Sequence, residues 1–149
     1  MSQISLTFHG YWSDRNRGSI PAQSGVYCVY RGIDNGQTVT LNQLLYVGES
    51  ENANARLASH EREQDWKRQL NFGETLIFAF APITVGRERA EAAIIFRHRP
   101  PLNTSCKDAF SYDSTEITSV GQNAFLDPRF AVHRNAVSSF SASSYLTGR

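Results

Sequence analysis

Residues 24–50 read SGVYCVYRGIDNGQTVTLNQLLYVGES, and this stretch decides the fold. Its first part, Val26 to Gly32, is dense in β-branched and aromatic residues, which suit a pleated, half-buried strand. Asp34, Asn35 and Gly36 supply a turn, and the run through Leu44, Leu45, Tyr46 and Val47 returns as a second strand. The pattern predicts a hairpin. Strand alternation puts Tyr27 and Val29 on one side and Val26, Cys28 and Tyr30 on the other.

Outward from the hairpin, residues 3–9 alternate Ile4, Leu6 and Phe8 with Ser5, Thr7 and His9, which predicts an edge strand, and 13–24 is a polar connection. Residues 52–70 are helix formers with cap candidates Ser50 and Asn52. Their apolar stripe (Leu57, Ala58, Trp66, Leu70) is thin, so a surface-lying helix is expected, broken near Glu63, with Arg56, His60, Glu63 and Lys67 on one face. Residues 74–83 form a strand with bulky Leu76, Phe78 and Phe80 on one side. Its other side, Ile77, Ala79 and Ala81, is small and leaves room. Residues 86–99 form a buried helix stopped by Pro100 and Pro101. Beyond Asn103, nine of 46 residues are serine and periodicity is weak, so a loosely structured extension is expected, with a short helix over 129–137. The fold class is α+β: a small central antiparallel sheet flanked by helices in β-β-α-β-α order. Its segments are 1–23, 24–103 and 104–149.

A chain of 149 residues with 40% hydrophobic and 11% aromatic content fits one globular domain with a core of its own. Fifteen Lys and Arg against fourteen Asp and Glu leave a net charge of +1, spread evenly along the chain. Bulk charge therefore gives no reason to expect a polyanion, and an anion site must come from local arrangement. No apolar run reaches the roughly 20 residues of a membrane helix, and the start, MSQISLTFHGYW, lacks a leader pattern, so a cytoplasmic chain without membrane contact is expected. Cys28 and Cys106 fit a reducing compartment and lack zinc spacing. His98 and His133 have no partners at metal spacing and are expected at the surface.

The order S-G-V-Y (24–27), L-L-Y-V-G-E-S (44–50), R-L-A-S-H (56–60), R-A-E-A-A-I-I (89–95) and P-P-L-N (100–103) resembles the GIY-YIG nuclease family over residues 24–103. Gly25-Val26-Tyr27 and Tyr46-Val47-Gly48 stand for its two triplets, with valine for isoleucine in each. The triplets are separated by eighteen residues, more than is usual in the family, and the excess around 34–40 implies a longer hairpin. The resemblance implies an endonuclease that hydrolyses phosphodiester bonds in DNA with a divalent metal. It implies that Tyr27 positions or deprotonates the attacking water, Tyr46 holds the water or phosphate, and Arg56 stabilises the phosphoryl charge. Glu91 would be the metal ligand, and Asn103 would brace the site through side-chain hydrogen bonds.

The residue types suit these roles. An oxygen ligand such as Glu91 fits one Mg²⁺ or Mn²⁺ completed by water and phosphate, with Glu49 and Glu88 as spare carboxylates. A carboxylate in a mostly apolar helix is costly unless a cation, metal or donor meets it, which leaves a structural ion pair open beside the functional reading. The guanidinium of Arg56 matches phosphate as a fork. His60 is a second candidate base, since an ordinary histidine titrates near neutrality, and the residues alone do not choose between it and Tyr27. Arg62, Lys67, Arg68, Arg97 and Arg99 are candidates for tracking the DNA backbone, with a solvated helix face as the alternative. No separate DNA reader is visible, so a homodimer or partner subunit is expected to help hold the substrate. Deleting 138–149 is expected to leave activity nearly unchanged. The competing readings are a non-catalytic module of this fold that binds nucleic acid or protein, and a nuclease for RNA or single strands.

Overall fold

A computed structural model of the chain describes residues 1–134. Their elements are β1 (Ser2–Ser13), a 3-10 helix (Asp14–Ser19), β2 (Gly25–Asp34), β3 (Val39–Ser50), α1 (Ala53–Ala58), α2 (Glu63–Lys67), β4 (Thr75–Pro82), α3 (Arg87–His98), β5 (Thr115–Gly121) and β6 (Arg129–Val132). The fold is α+β. Among the described residues one six-stranded sheet runs in the order β3-β2-β4-β1-β5-β6.

The hairpin forms as its sequence dictates. β2 and β3 pair antiparallel from Gly25↔Ser50 to Asp34↔Val39. The Asn35 side chain closes the turn by accepting from the amides of Gln37 and Thr38 at 2.9 and 2.8 Å. β4 runs antiparallel to β2 with Tyr27 opposite Phe80. The alternation sorts side chains into two cores. Val26, Cys28 and Tyr30 join Ile77, Ala79 and Ala81 under α3, while Tyr27 and Val29 join Leu76, Phe78 and Phe80 under Leu57 and Trp66. The room expected beside Ala79 and Ala81 is thus filled by α3, whose Ala90, Ala93 and Ile94 are fully buried. Burying Ile94 and Ile95 there contributes roughly 1.5–3 kcal/mol each.

Several expectations change. β1 is an interior strand: residues 2–8 pair parallel with β5, and residues 9–13 pair antiparallel with β4. The C-terminal extension supplies β5 and β6, which carry the sheet past β1, and the helix expected from 129 is the strand β6 as far as Val132. The end of that expected helix and the tail from 138 lie outside the described residues. The helix expected over 52–70 with a break near Glu63 is two short helices, with residues 59–62 non-helical between them. Asn52 caps α1 by accepting from the Ala55 amide at 3.0 Å. His60 therefore does not share a helix face with Arg56. No helix among the described residues is long and apolar enough to cross a membrane.

Candidate active site

The glycines of the two triplets are required by close packing. Tyr27 on β2 lies opposite Gly48 on β3, and a Cβ on Gly48 would stand 2.3 Å from the Tyr27 hydroxyl oxygen. A Cβ on Gly25 would stand 2.2 Å from the Ala81 carbonyl and 2.4 Å from the Phe80 ring. Only the absence of a side chain at residue 48 lets the Tyr27 ring cross the neighbouring strand. Tyr46, two residues before Gly48 on the same face, stacks on Tyr27 with ring centres 6.5 Å apart.

The break between α1 and α2 brings His60 onto this pair. Its side chain is buried, and its Nε2 lies 3.0 Å from the Tyr27 hydroxyl. Its Nδ1 accepts the Arg62 backbone amide at 3.0 Å. An amide can only donate, so Nδ1 carries the lone pair. The ring is neutral, because burial first and the charge of Arg56 next pull its pKa down to about 4. The neutral ring then carries its proton on Nε2 and donates it to the Tyr27 oxygen. In this state neither nitrogen of His60 is free to take a proton from water. Trp66 packs on the other side of His60, with ring centres 4.4 Å apart.

Arg56, at the end of α1, carries its own counterion. Its two terminal nitrogens donate to the two oxygens of Glu61, each at 2.6 Å. That bond pulls the exposed Glu61 carboxyl down to about 2. Asn103 is buried and uses its amide as a strand would: it accepts from the Val47 amide at 3.0 Å and donates to the Val47 carbonyl at 2.9 Å. It holds the edge of β3 between Tyr46 and Gly48, its side chain hydrogen-bonding to backbone.

Glu91 is the electrostatic exception. It lies on α3, partly buried, and among the described residues no side chain or backbone group forms a hydrogen bond or ion pair with its carboxylate. Burial first, then the negative charges of Glu49 and Glu88, push its pKa up to about 7. Arg87 offsets part of that charge from a distance, while its own bonds go to Glu49 at 2.5 Å and Ser24 at 2.7 Å. The hydroxyl of Tyr27 is pushed well above the ordinary tyrosine range, by burial first and then by Tyr46 and Glu91, with Arg56 opposing. Burial and Glu91 likewise raise Tyr46 against Arg62 and Arg56. An unpaired, half-desolvated carboxylate in a negative field suits a cation. The described residues hold no group of three or more metal-ligating side chains, so a cation at Glu91 would complete its shell with water and substrate oxygens.

The chain is similar to the UvrABC system protein C of Haloarcula marismortui, at 33% identity over 103 residues, 68% of the chain. It spans about 17% of that relative's length. No family model matches the chain. No solved structure matches it significantly.

The cations expected to track DNA are all engaged. Arg62 donates to Asp65 and the Leu102 carbonyl and lies over the Tyr46 ring; Lys67 pairs with Glu63 and Arg68 with Asp65. Arg97 pairs with Asp127, and Arg99 donates to the Lys107 carbonyl. His98, expected at the surface, is partly buried: its ring lies against the Ile94 carbonyl and accepts the Asp127 amide at 2.8 Å, which ties the β5–β6 loop to α3. His133 lies beside the Ser114 hydroxyl at 2.9 Å in an exposed pair. Three residues around the site escaped the sequence reading. Glu61 falls five residues from Arg56, off any helical spacing, and Trp66 reads only as part of a thin stripe. Arg17, in the polar connection, donates to Asp14, Glu63 and the Leu57 carbonyl and lies 5.0 Å over the Phe78 ring, anchoring the helices of the site to the sheet. A lone arginine in a loop gives no signal of this.

Proposed function

We propose that residues 24–103 form a divalent-metal-dependent endonuclease site of the GIY-YIG type that hydrolyses phosphodiester bonds in DNA. The observation that carries this reading is Glu91, a carboxylate with no bonding partner among the described residues, whose field reaches a cluster of two stacked tyrosines. Order and spacing of the motifs support it, and a nuclease-type activity is also what the similarity to a UvrABC system protein C supports.

A Mg²⁺ or Mn²⁺ ion held by Glu91 would neutralise charge on the phosphoryl oxygens and on the departing oxygen. The chain's own groups supply the rest. Arg56 offers its two terminal N–H groups to the phosphoryl oxygens once Glu61 has moved away. Tyr27 orients the attacking water through its hydroxyl, while the Nε2–H of His60 fixes that oxygen and supports negative charge on it. With its pKa raised, Tyr27 is a phenol in the cation-free protein. It becomes a base when positive charge beside Glu91 and a freed Arg56 lower that value. Tyr46, stacked on Tyr27 and next to Arg62, holds the water or phosphate by its hydroxyl. Asn103 keeps β3 in register. Because Arg62, Lys67, Arg68, Arg97 and Arg99 already have partners, firm binding of DNA draws on a second copy or a partner subunit.

The test is digestion of supercoiled plasmid, single-stranded DNA and RNA, side by side, with Mg²⁺ or Mn²⁺. Wild type is expected to cut the plasmid fastest, and Glu91→Ala is expected to be inactive with an unchanged circular dichroism spectrum. Equal cutting by both proteins would remove Glu91 from the mechanism. Binding without cutting by a folded wild type would favour the non-catalytic module.

A further inference from the structure

The arginine assigned to phosphate is not waiting for it. Both terminal nitrogens of Arg56 are taken by both oxygens of one carboxylate, with two bonds of 2.6 Å. A guanidinium grips a phosphodiester with the same two-pronged geometry, so Glu61 occupies the place of two phosphoryl oxygens.

Beyond Arg56, the Glu61 carboxylate meets its own backbone amide. It sits in the non-helical segment 59–62, its side chain is 66% exposed, and the Nδ1 of neutral His60 lies 3.9 Å from it. The segment is anchored without it. The Arg62 amide is fixed on His60, the Arg62 guanidinium on the Leu102 carbonyl, and Glu63 on Arg17 and Lys67. An exposed ion pair adds little net stability, so the carboxylate can swing into solvent at small cost. A free phosphate must still displace it from the fork. A phosphate that is also gripped elsewhere has an advantage, because its second contact makes the displacement local. The even charge of the chain fits the same picture, since no basic excess draws DNA in regardless of how it is seated.

We propose that Glu61 is a specificity-determining residue whose carboxylate competes with substrate phosphate for Arg56, so that the fork opens only to a phosphodiester also held on the Glu91 side. This rests on the nuclease reading above. It predicts a site that discriminates against loosely seated polyanions.

Inorganic phosphate is the first probe, because its binding is measured without catalysis. Titrations followed by side-chain NMR of the arginines in wild type, Glu61→Gln, Glu61→Asp and the double variant Arg56→Gln/Glu61→Gln are expected to show phosphate bound on the order of tenfold more tightly by Glu61→Gln. Glu61→Asp is expected near wild type, and the gain is expected to vanish in the double variant. In cleavage assays Glu61→Gln should lower KM several-fold for DNA of arbitrary sequence, with kcat changed by less than about twofold. Unchanged or weaker phosphate binding by a folded Glu61→Gln overturns the proposal, as does a fall in kcat at constant KM, which would make Glu61 a positioning residue for Arg56. The two readings fail separately. Tighter phosphate in Glu61→Gln with no cleavage by wild type would sink the nuclease reading and keep the gate, whereas cleavage with unchanged phosphate binding would sink the gate alone.

Discussion

Around the paired tyrosines, α3 presents Glu91 with no bonding partner among the described residues, while Arg56 at the end of α1 is already paired with Glu61 from the segment joining α1 to α2. The two sides differ in burial as well. Glu91 is partly desolvated and its charge is opposed by Glu49 and Glu88, whereas Glu61 is exposed and held fully ionised by its arginine. The same site would therefore meet a cation and a phosphate in two different ways. On the α3 side a cation would relieve an existing cost, and on the other side a phosphate would have to exchange with an existing contact. Apparent affinity for DNA is therefore expected to depend on metal more steeply than the count of basic residues implies.

The largest effect that would sharpen this comparison is on the tyrosine between the two sides. Tyr27→Phe removes the hydroxyl that receives the His60 bond, and it is expected to slow cleavage by on the order of 100-fold while costing about 1 kcal/mol of stability. Single-turnover rates and urea melts check this. An activity within a few-fold of wild type would leave the water to another group.

Gly48→Ala comes next. Its Cβ would collide with the Tyr27 ring, so a loss of about 2–3 kcal/mol is expected in urea unfolding, together with loss of activity. A neutral result would contradict the packing that aims Tyr27.

A smaller effect separates the two carboxylates by pH. The folded value of Glu91, about 7, lies above its ordinary value, so its stabilising contribution is full below about 4.5 and is lost as pH rises through 7. In metal-free buffer at pH 8, Glu91→Gln is expected to be more stable than wild type by about 2 kcal/mol, with the gain vanishing by pH 4.5. Mg²⁺ should restore wild type at pH 8 and leave Glu91→Gln unmoved. His60 has the opposite sign. Its pKa is lowered to about 4, so its contribution is present above about 6.5 and fades as pH falls through 4. An acid limb of activity near pH 7 therefore belongs to Glu91, and it should survive in a protein whose His60 is replaced by Gln.

The parts of this site that were legible in the sequence are those written into the backbone. Gly25 and Gly48 are needed because a Cβ would strike a neighbouring strand, and the Asp34-Asn35-Gly36 turn is closed by its own side chains, so short motifs announce both. The helix α3 shows its buried alanines and isoleucines and its proline stop directly. The end of the sheet was hidden because the buried face of β5 is Thr115, Ile117 and Ser119, two hydroxyls in three, which masks the apolar alternation of a strand. β1 was consequently placed at an edge. The break near Glu63 is legible in the sequence, whereas the turn of His60 onto Tyr27, thirty-three residues away, is not. Glu61 was invisible for the same reason, since its role exists only once the break turns it back onto Arg56.

In the proposed mechanism Glu91 gathers the cation for phosphodiester hydrolysis. The direct test is supercoiled-plasmid cleavage by wild type and Glu91→Gln at subsaturating Mg²⁺ from pH 6 to 8.5. The rate of wild type is predicted to rise through about pH 7, where Glu91 loses its proton, and Glu91→Gln is predicted to stay at background throughout. Cleavage by Glu91→Gln at the wild-type rate would contradict the claim.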